Sequence, residues 1–300
     1  MNPNPLLSAL GYEPSARLVI FHADDVGMCH GSNRAYRELQ AAGILKTGSV
    51  MVPCPWSPEI LQAAASNPAL DLGVHLTLTS EWSGYRWGPI STRQANSGLL
   101  DDSGHFWPSA EEVTSRLNQT AAVGEMEAQI ERALAAGLDV THLDNHMGVA
   151  AIPALLPEYV RLGFEYRLPI LLFRQLDDVM RAMGYLPADE AAYARQVAAI
   201  EERGMPLVDW FRITPGYDNE DGSGERADLY EAILHDLQPG VTYFSLHPNA
   251  PGDIEIIDPV NHHWRTQEYE YFRSDRLRAF LAQEKIVPIG YREIREVMRG

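Results

Sequence analysis

The sequence predicts an α/β fold, a single (β/α) barrel of the TIM type, complete or distorted, that spans residues 1–300. Short β-like runs alternate with helix-like segments along the whole chain, which is the pattern of βα units around a parallel sheet. Eight such strands can be placed, and eight is the number that closes a (β/α) barrel. The chain of 300 residues is long enough for one barrel, and no repeat or Gly/Ser linker divides it.

The predicted strands and helices alternate in chain order. The strands cover residues 17–22, 47–52, 71–76, 139–143, 169–172, 207–213, 241–246 and 286–289. The helices cover residues 32–42, 57–66, 124–136, 153–162, 190–202, 227–237 and 274–283. Two connections, residues 77–123 and 249–271, are too long for ordinary βα loops, and loops of that length in a compact domain usually serve a function.

The charge composition of the chain argues against two classes of binding partner, nucleic acids and anionic membranes. The chain has 24 Lys and Arg against 41 Asp and Glu, a net charge of −17. Nucleic acids and anionic membranes are bound by basic patches, so neither is expected as a partner. Cys29 and Cys54 are the only cysteines, and we expect free thiols. The first residues resemble no signal peptide and no run is long enough to span a membrane, so we expect a cytoplasmic protein.

Polar side chains stand where predicted strands end, and that face of a (β/α) barrel carries the active site. Two adjacent carboxylates in "FHADDVG" follow the first strand, and a histidine in "GVHLTLT" ends the third. The motifs "THLDNHMG" and "YFSLHPN" stand at the fourth and seventh strands. Together these motifs supply Asp24, Asp25, His75, His142, Asp144, His146 and His247. The barrel would bring them to one mouth although they lie far apart in the sequence.

Carboxylate and imidazole together are a ligand set for a divalent ion, and two histidines with one aspartate leave positions open for water and substrate. We interpret Asp25, His75 and His146 as metal ligands. Asp24 is then the adjacent carboxylate that is free to act as general base. Asp144 and His142 alternate with His146 and are expected to lie behind the ligands.

Each of these residues also has a structural interpretation when it is taken alone. The aspartate pair could cap the helix that follows it, because aspartate accepts hydrogen bonds from backbone N–H groups at a helix N-terminus. A single histidine on an apolar strand, such as His75 or His247, is more often a core residue than a ligand. The combination of four motifs at four strand ends is what favours a metal site.

These motifs, in this order, resemble the YdjC-like carbohydrate deacetylases, a family that includes chito-oligosaccharide deacetylase and the hopanoid-associated deacetylase-like proteins. The resemblance extends to the tail "DRLRAFLAQEKIVPIGYREI" and covers nearly the whole chain. It implies a distorted (β/α) barrel of the glycoside hydrolase and deacetylase type, with a divalent metal held by Asp25, His75 and His146. It also implies that Asp24 is the base and that His247 is the acid near the leaving amine.

One stretch departs from the family pattern. Many members continue the third motif with further histidines, whereas this chain has "MGVA" after His146, and "HPG" is replaced by "HPN". We interpret the departure as a change of substrate rather than a loss of chemistry.

The resemblance implies a metal-dependent hydrolase that removes an N-acetyl group from an amino sugar or an N-acetylated oligosaccharide, with one zinc or magnesium ion as cofactor. Trp82, Arg86 and Trp87, close together in the first long connection, are predicted to bind the sugar, although the aromatic rings could equally form the core of an ordered lid. A phosphoesterase, a sugar isomerase and a non-catalytic carbohydrate-binding protein are the alternatives. The exposed helices could carry the two-fold interface of a homodimer, since two-fold interfaces are the commonest kind.

Overall fold

A parallel sheet is organised around strand β1 (Arg17–Val26), which pairs with one neighbour on one edge and with two neighbours on the other. The computed structural model describes residues 3–182, 187, 189–214 and 226–300. Within these residues the other strands are β2 (Thr47–Val50), β3 (Asp71–Leu76), β4 (Leu143–Asn145), β5 (Trp210–Ile213), β6 (Gly240–Leu246) and β7 (Ile286–Pro288).

The strands curl into a distorted barrel. Their order is β4-β3-β2-β1-β6-β5, and all pairs are parallel. β7 pairs only with residues 17–19 of β1, on the edge where later residues of β1 pair with β2. Two isolated bridges, Leu143 with Ile170 and Phe173 with Val208, connect β4 to the residues before β5. The predicted fold class, a distorted (β/α) barrel, is confirmed.

The helices are amphipathic segments that cover the sheet. The described α-helices are α1 (Pro5–Ala9), α2 (His30–Ala42), α3 (Ser57–Ser66), α4 (Ala110–Ser115), α5 (Gln119–Ala135), α6 (Leu156–Tyr166), α7 (Asp178–Ala182), α8 (Glu190–Glu202), α9 (Ala227–His235), α10 (Ile254–Ile257), α11 (His262–Tyr271), α12 (Asp275–Glu284) and α13 (Tyr291–Arg299). Short 3-10 helices lie at Ala95–Ser97 and His146–Ala151. None of these helices is long and apolar enough to cross a membrane.

Most predicted elements are present, and one predicted strand is wrong. Residues 169–172 form only an isolated bridge at Ile170, in which Leu143 donates to the carbonyl of Pro169 and Leu171 donates to the carbonyl of Leu143. Pro169 has no N–H with which to extend this pairing towards the N-terminus. The fourth strand begins at Leu143 rather than at residue 139, while β1 continues beyond residue 22 through both aspartates. Both long connections contain helices: α4 and the first turn of α5 in the first, and α10 and α11 in the second. The single domain over residues 1–300 stays a prediction.

Alternate residues of β1 show where the core ends and the site begins. Val19 and Phe21 pack in the main apolar cluster with the surrounding helices. Leu18 and Ile20 face the opposite side, in a second apolar cluster inside the barrel. The next residues on that inner side are His22 and Asp24, since side chains alternate along a strand. The inner face is therefore apolar at the start of β1 and polar towards its end.

Candidate metal centre and active site

Five of the predicted site residues meet at the carboxyl ends of the strands. Oδ1 of Asp25, on β1, lies 3.2 Å from Nδ1 of His146 and 3.6 Å from Nε2 of His75, which is on β3. Oδ2 of the neighbouring Asp24 lies 3.8 Å from Nε2 of His247, just after β6. The barrel thus brings together residues from four separate motifs.

Asp25 has the features of a metal ligand. Its Oδ1 atom is buried and has no hydrogen-bond partner among the described residues. Ligand atoms of Asp25, His75 and His146 lie within 4.8 Å of one another, so one cation could touch all three. Asp25 also has a φ of 59°, which is uncommon for a residue other than glycine and is typically retained at functional sites. Carboxylate and imidazole donors around an orphaned oxygen fit a divalent cation.

A carboxylate stands behind each imidazole of this group. Oδ2 of Asp144 lies 2.9 Å from Nδ1 of His75, and Oε2 of Glu81 lies 3.1 Å from Nε2 of His146. Such partners orient metal-binding histidines and increase the basicity of the nitrogen that faces the ion. Asp144 therefore stands where the sequence predicted it, behind a ligand, although its role stays a prediction. His142 lies one step further away, against His22.

The carboxylates beside His75 and His146 stabilise positive charge on the two imidazoles. Burial lowers the pKa of His75, but Asp144 outweighs this effect and holds the pKa well above its usual value. Burial likewise lowers the pKa of His146, and Glu81 and Asp25 reverse this and raise the pKa to about 9. A cation bound here would displace these protons, because the ligand must be neutral imidazole.

Asp25 and Arg265 form a buried ion pair on the other side of the carboxylate. Nη1 of Arg265, on α11, donates a hydrogen bond to Oδ2 of Asp25 over 2.8 Å. Burial raises the pKa of Asp25, but the guanidinium of Arg265 and the nearby imidazoles of His146 and His75 outweigh it and hold the pKa well below its usual range. The carboxylate of Asp25 is therefore ionised at neutral pH.

Asp24 is held by neutral and imidazole donors instead of by an arginine. Its Oδ1 lies 2.5 Å from Nδ1 of His22 and 2.9 Å from the hydroxyl of Tyr243, and Ser245 donates to its Oδ2 over 2.8 Å. Burial raises the pKa of Asp24, but the hydrogen bond and charge of His22 prevail and lower the pKa below its usual value. Asp24 is an ionised carboxylate that can accept a proton.

His247 is positioned mainly through its backbone. Its N–H donates to Oε2 of Glu268 over 2.6 Å, and its ring packs edge-on against Trp264, with centroids 5.1 Å apart. Nδ1 of His247 is buried and has no hydrogen-bond partner in the described part of the chain. Burial lowers the pKa of His247 to about 4, so the imidazole is neutral at neutral pH.

The three residues predicted to bind the sugar differ in their surroundings. Trp87 is buried, and its Nε1 donates to the backbone carbonyl of Thr79 over 2.7 Å. Trp82 is only partly buried, packs edge-on against Trp87 and lies under the guanidinium of Arg265. Arg86 is engaged within its own connection, where it donates to the carboxylate of Asp101 over 2.9 Å. Binding of a substrate by any of the three stays a prediction.

The sequence analysis did not identify several residues that shape the site: His22, Glu81, Tyr243, Ser245, Arg265 and Glu268. A signal existed for those on strands, because His22 and Asp24 alternate on β1, and Tyr243 and Ser245 alternate on β6 in the two positions that lead to His247 just after the strand. Arg265 lies in the second long connection, where only the length of the segment indicated a function.

Comparison with known proteins identifies the family. A family model described as YdjC-like protein matches residues 18–283, a range that includes all four motifs. The chain belongs to the YdjC-like family. The resemblance that the motifs show is thus confirmed over most of the chain.

Two relatives of this YdjC-like protein match over nearly their whole length, and both are named carbohydrate deacetylase. The protein from Thermus thermophilus is 32% identical over 297 residues, which are 98% of this chain and 99% of the relative. The protein from Thermoanaerobacter pseudethanolicus is 25% identical over 276 residues, which are 92% of this chain and 98% of the relative. The predicted enzyme class, a hydrolase of amide bonds, is confirmed by this kinship.

A solved structure shares the fold. A protein from Enterococcus faecalis V583, provisionally described as a cellobiose-phosphate cleavage protein, aligns with a TM-score of 0.72. The alignment covers 93% of this chain and 99% of the other, at 20% identity. This similarity shows a common barrel.

Proposed function

We propose that this protein is a metal-dependent deacetylase that hydrolyses the N-acetyl group of an amino sugar or an N-acetylated oligosaccharide. The observation that carries the proposal is the buried, unpartnered Oδ1 of Asp25 between the rings of His75 and His146, one residue from the ionised carboxylate of Asp24. A ligand group with an adjacent base is the arrangement that metal-assisted hydrolysis requires.

Asp25, His75 and His146 would hold one divalent cation. Such an ion lowers the pKa of a bound water and polarises an amide carbonyl, which is otherwise a poor electrophile. The donor set of one carboxylate and two imidazoles suits zinc, and it also accommodates magnesium, manganese or cobalt.

Asp24 and His247 would transfer the proton from the attacking water to the departing nitrogen. The ionised Asp24 accepts a proton from the attacking water, and His247 delivers one to the departing nitrogen of the sugar. His247 is neutral before the reaction, so it must first gain a proton, and Asp24 lies 3.8 Å from its ring. The proton taken from water then ends on the amine, which leaves as the amino sugar while the acyl group leaves as acetate.

Trp82 would contact the sugar ring, because it is the partly exposed member of the aromatic pair. Trp87 would support it from the buried side. Arg86 would act on the substrate only through the conformation of the connection that it ties to Asp101. Aromatic faces suit sugars because the C–H groups of the ring pack against them.

The test is acetate release from a panel of N-acetylated chito-oligosaccharides and simple N-acetyl sugars. Metal-stripped protein is reconstituted separately with zinc, magnesium, manganese or cobalt, and a sugar phosphate and an aldose are included for the two alternative reactions. We expect acetate only in the reconstituted samples. Phosphate release or isomerisation without acetate would overturn the proposal, as would a fully loaded protein that acts on none of these compounds.

A further inference from the structure

A line of hydrogen-bonded side chains runs from the site into the barrel. Oδ1 of Asp24 lies 2.5 Å from Nδ1 of His22, and Nε2 of His22 lies 2.8 Å from Nε2 of His142. Nδ1 of His142 lies 3.0 Å from Oγ1 of Thr141, which in turn lies 2.6 Å from Oδ1 of Asp71. All five side chains are buried. The mechanism above uses only the first of them.

Packing leaves room for the imidazoles of His22 and His142 and fixes the planes of their rings. A Cβ atom on Gly73 would lie 2.6 Å from the ring of His142, so only glycine fits at this position of β3. The ring of His142 stacks on Tyr291 with centroids 3.8 Å apart, and the ring of His22 stacks on Tyr243 at 4.8 Å. The contact between the two Nε2 atoms is therefore built in by packing on both sides.

Counting hydrogens along this line assigns the charge. Thr141 donates its single hydroxyl hydrogen to Oδ1 of Asp71, so the Thr141 oxygen accepts from Nδ1 of His142. Nδ1 of His22 lies 2.5 Å from Oδ1 of Asp24 and 2.8 Å from the hydroxyl oxygen of Tyr243. A carboxylate oxygen this close needs a hydrogen on Nδ1, and the Tyr243 hydroxyl has carboxylate oxygens of its own to donate to. With one hydrogen between the Nε2 atoms, the two rings thus share one positive charge. Because burial holds the pKa of His142 well below its usual value, His142 is the neutral ring, with its hydrogen on Nδ1 and a lone pair on Nε2. The hydrogen in the 2.8 Å contact then belongs to His22. His22 therefore carries hydrogens on both nitrogens.

We propose that His22 is a positioning residue: as an imidazolium held by His142, it orients the carboxylate of Asp24 for proton transfer. The inference deepens the proposed function and rests on it, because it concerns the residue that acts as base. His22 is fully buried beneath Asp24 and cannot touch a substrate at the mouth. Burial and the nearby charge of His22 hold the pKa of His142 well below its usual value, in agreement with a neutral partner.

A second metal ion is the competing interpretation of the same residues. Ligand atoms of His22, His142 and Asp144 lie within 4.8 Å of one another, and Oδ1 of Asp144 is buried without a partner among the described residues. An ion bound by both Nε2 atoms would need a lone pair on each, whereas the imidazolium has a hydrogen on both nitrogens. The two interpretations therefore predict different nitrogen states and different metal contents.

The direct test is nitrogen NMR of the zinc-loaded wild-type protein, labelled with ¹⁵N at histidine. We expect both ring nitrogens of His22 to have shifts typical of protonated nitrogen, and one bound zinc per chain. The His22→Asn variant assigns the signals. A neutral His22 or two bound ions would overturn the proposal. The shifts report the state of His22 without substrate, so a failure of acetate release by the wild type contradicts only the proposed function.

The kinetic test compares two replacements of His142. His142→Gln keeps an acceptor near the position of Nε2, whereas His142→Leu removes it. We expect His142→Leu to lower kcat by about 10- to 100-fold, the range for groups that orient a reacting side chain, with KM and metal content unchanged. His142→Gln should recover most of the lost turnover, and the exposed control His235→Leu should match the wild type. Equal kcat in His142→Leu and the wild type would contradict the role, as would equal losses in the Leu and Gln variants.

Discussion

Asp25 accepts a hydrogen bond from Arg265 over 2.8 Å, although the two residues are 240 positions apart in the chain. Both side chains are buried, and the other oxygen of Asp25 faces His146 and His75. The two carboxylate oxygens thus have separate partners. The arginine fixes Oδ2, so the carboxylate cannot rotate, and Oδ1 stays directed at the two imidazoles.

Replacing Arg265 by methionine should destabilise the metal-free protein. Breaking a buried ion pair on one side leaves an uncompensated charge, and the cost is about 3–5 kcal/mol. We expect the lower end of this range, because the protonated His75 and His146 still face Asp25. Urea unfolding of stripped protein measures the loss. The control is Arg161→Met, which breaks exposed ion pairs on α6 and should change stability little. Equal losses in both variants would contradict the buried role.

Substitution of the two adjacent aspartates should have different effects, on turnover for Asp24 and on metal binding for Asp25. Asp24→Asn removes the proton acceptor and should lower kcat by about 10²- to 10⁴-fold, the usual contribution of a general base, while metal content stays at the wild-type level. Asp25→Asn should lose the ion, because its Oδ1 is the only carboxylate oxygen in the ligand group. Metal analysis and acetate release on both variants check this. If Asp24→Asn lost the ion and Asp25→Asn kept it, the two roles would have to be exchanged.

The two tryptophans of the first connection should also differ. Trp87 is buried, so Trp87→Ala should lower the free energy of unfolding by about 3–5 kcal/mol. Trp82 is partly exposed, and Trp82→Ala should raise KM for an N-acetylated oligosaccharide with a smaller loss of stability. Initial rates and thermal unfolding measure the two effects. An unchanged KM in Trp82→Ala would show that this ring belongs to the packing of the connection alone.

Much of the site could be predicted because its residues lie at strand ends. In a (β/α) barrel these ends lie on one face, so their side chains come close together. Asp25, His75 and His146 needed only the strand order to be placed at one mouth. Arg265 could not be placed, because its position depends on the path of a 23-residue connection, residues 249–271, that folds back over the mouth as α10 and α11. Nothing in the local sequence indicates which carboxylate such an arginine reaches.

The burial of Trp82 and Trp87 and the absent strand at residues 169–172 also depend on contacts between distant parts of the chain. Trp82 and Trp87 are close in sequence, yet which of them is buried depends on contacts with Thr79 and the other residues behind the connection. The predicted strand at residues 169–172 has a suitable composition, but only Ile170 pairs with β4, and Pro169 has no N–H with which to extend the pairing towards the N-terminus. Local pattern predicts elements and strand ends, whereas pairing across the fold decides the surroundings of each side chain.

Glu268 should make the stability of this protein depend on pH. It is fully buried on α11, and burial raises its pKa from 4.5 to about 7. The carboxyl group thus binds its proton more tightly in the folded state than in the unfolded state. Its contribution to the free energy of unfolding is fully present below about pH 4.5 and is lost as the pH rises to about 7. At 1.36 kcal/mol per pKa unit, this loss is about 3 kcal/mol.

The Glu268→Gln variant isolates this contribution, because glutamine still accepts the hydrogen bond from the backbone of His247 but does not titrate. Urea unfolding of both proteins between pH 4 and 8 gives the difference in unfolding free energy, and we expect the wild type to lose stability relative to the variant as the pH rises. Glu270→Gln changes an exposed neighbour on the same helix and should leave the pH dependence as it is. Parallel curves for the wild type and Glu268→Gln would mean that water reaches this carboxylate and that its burial does not control the proton.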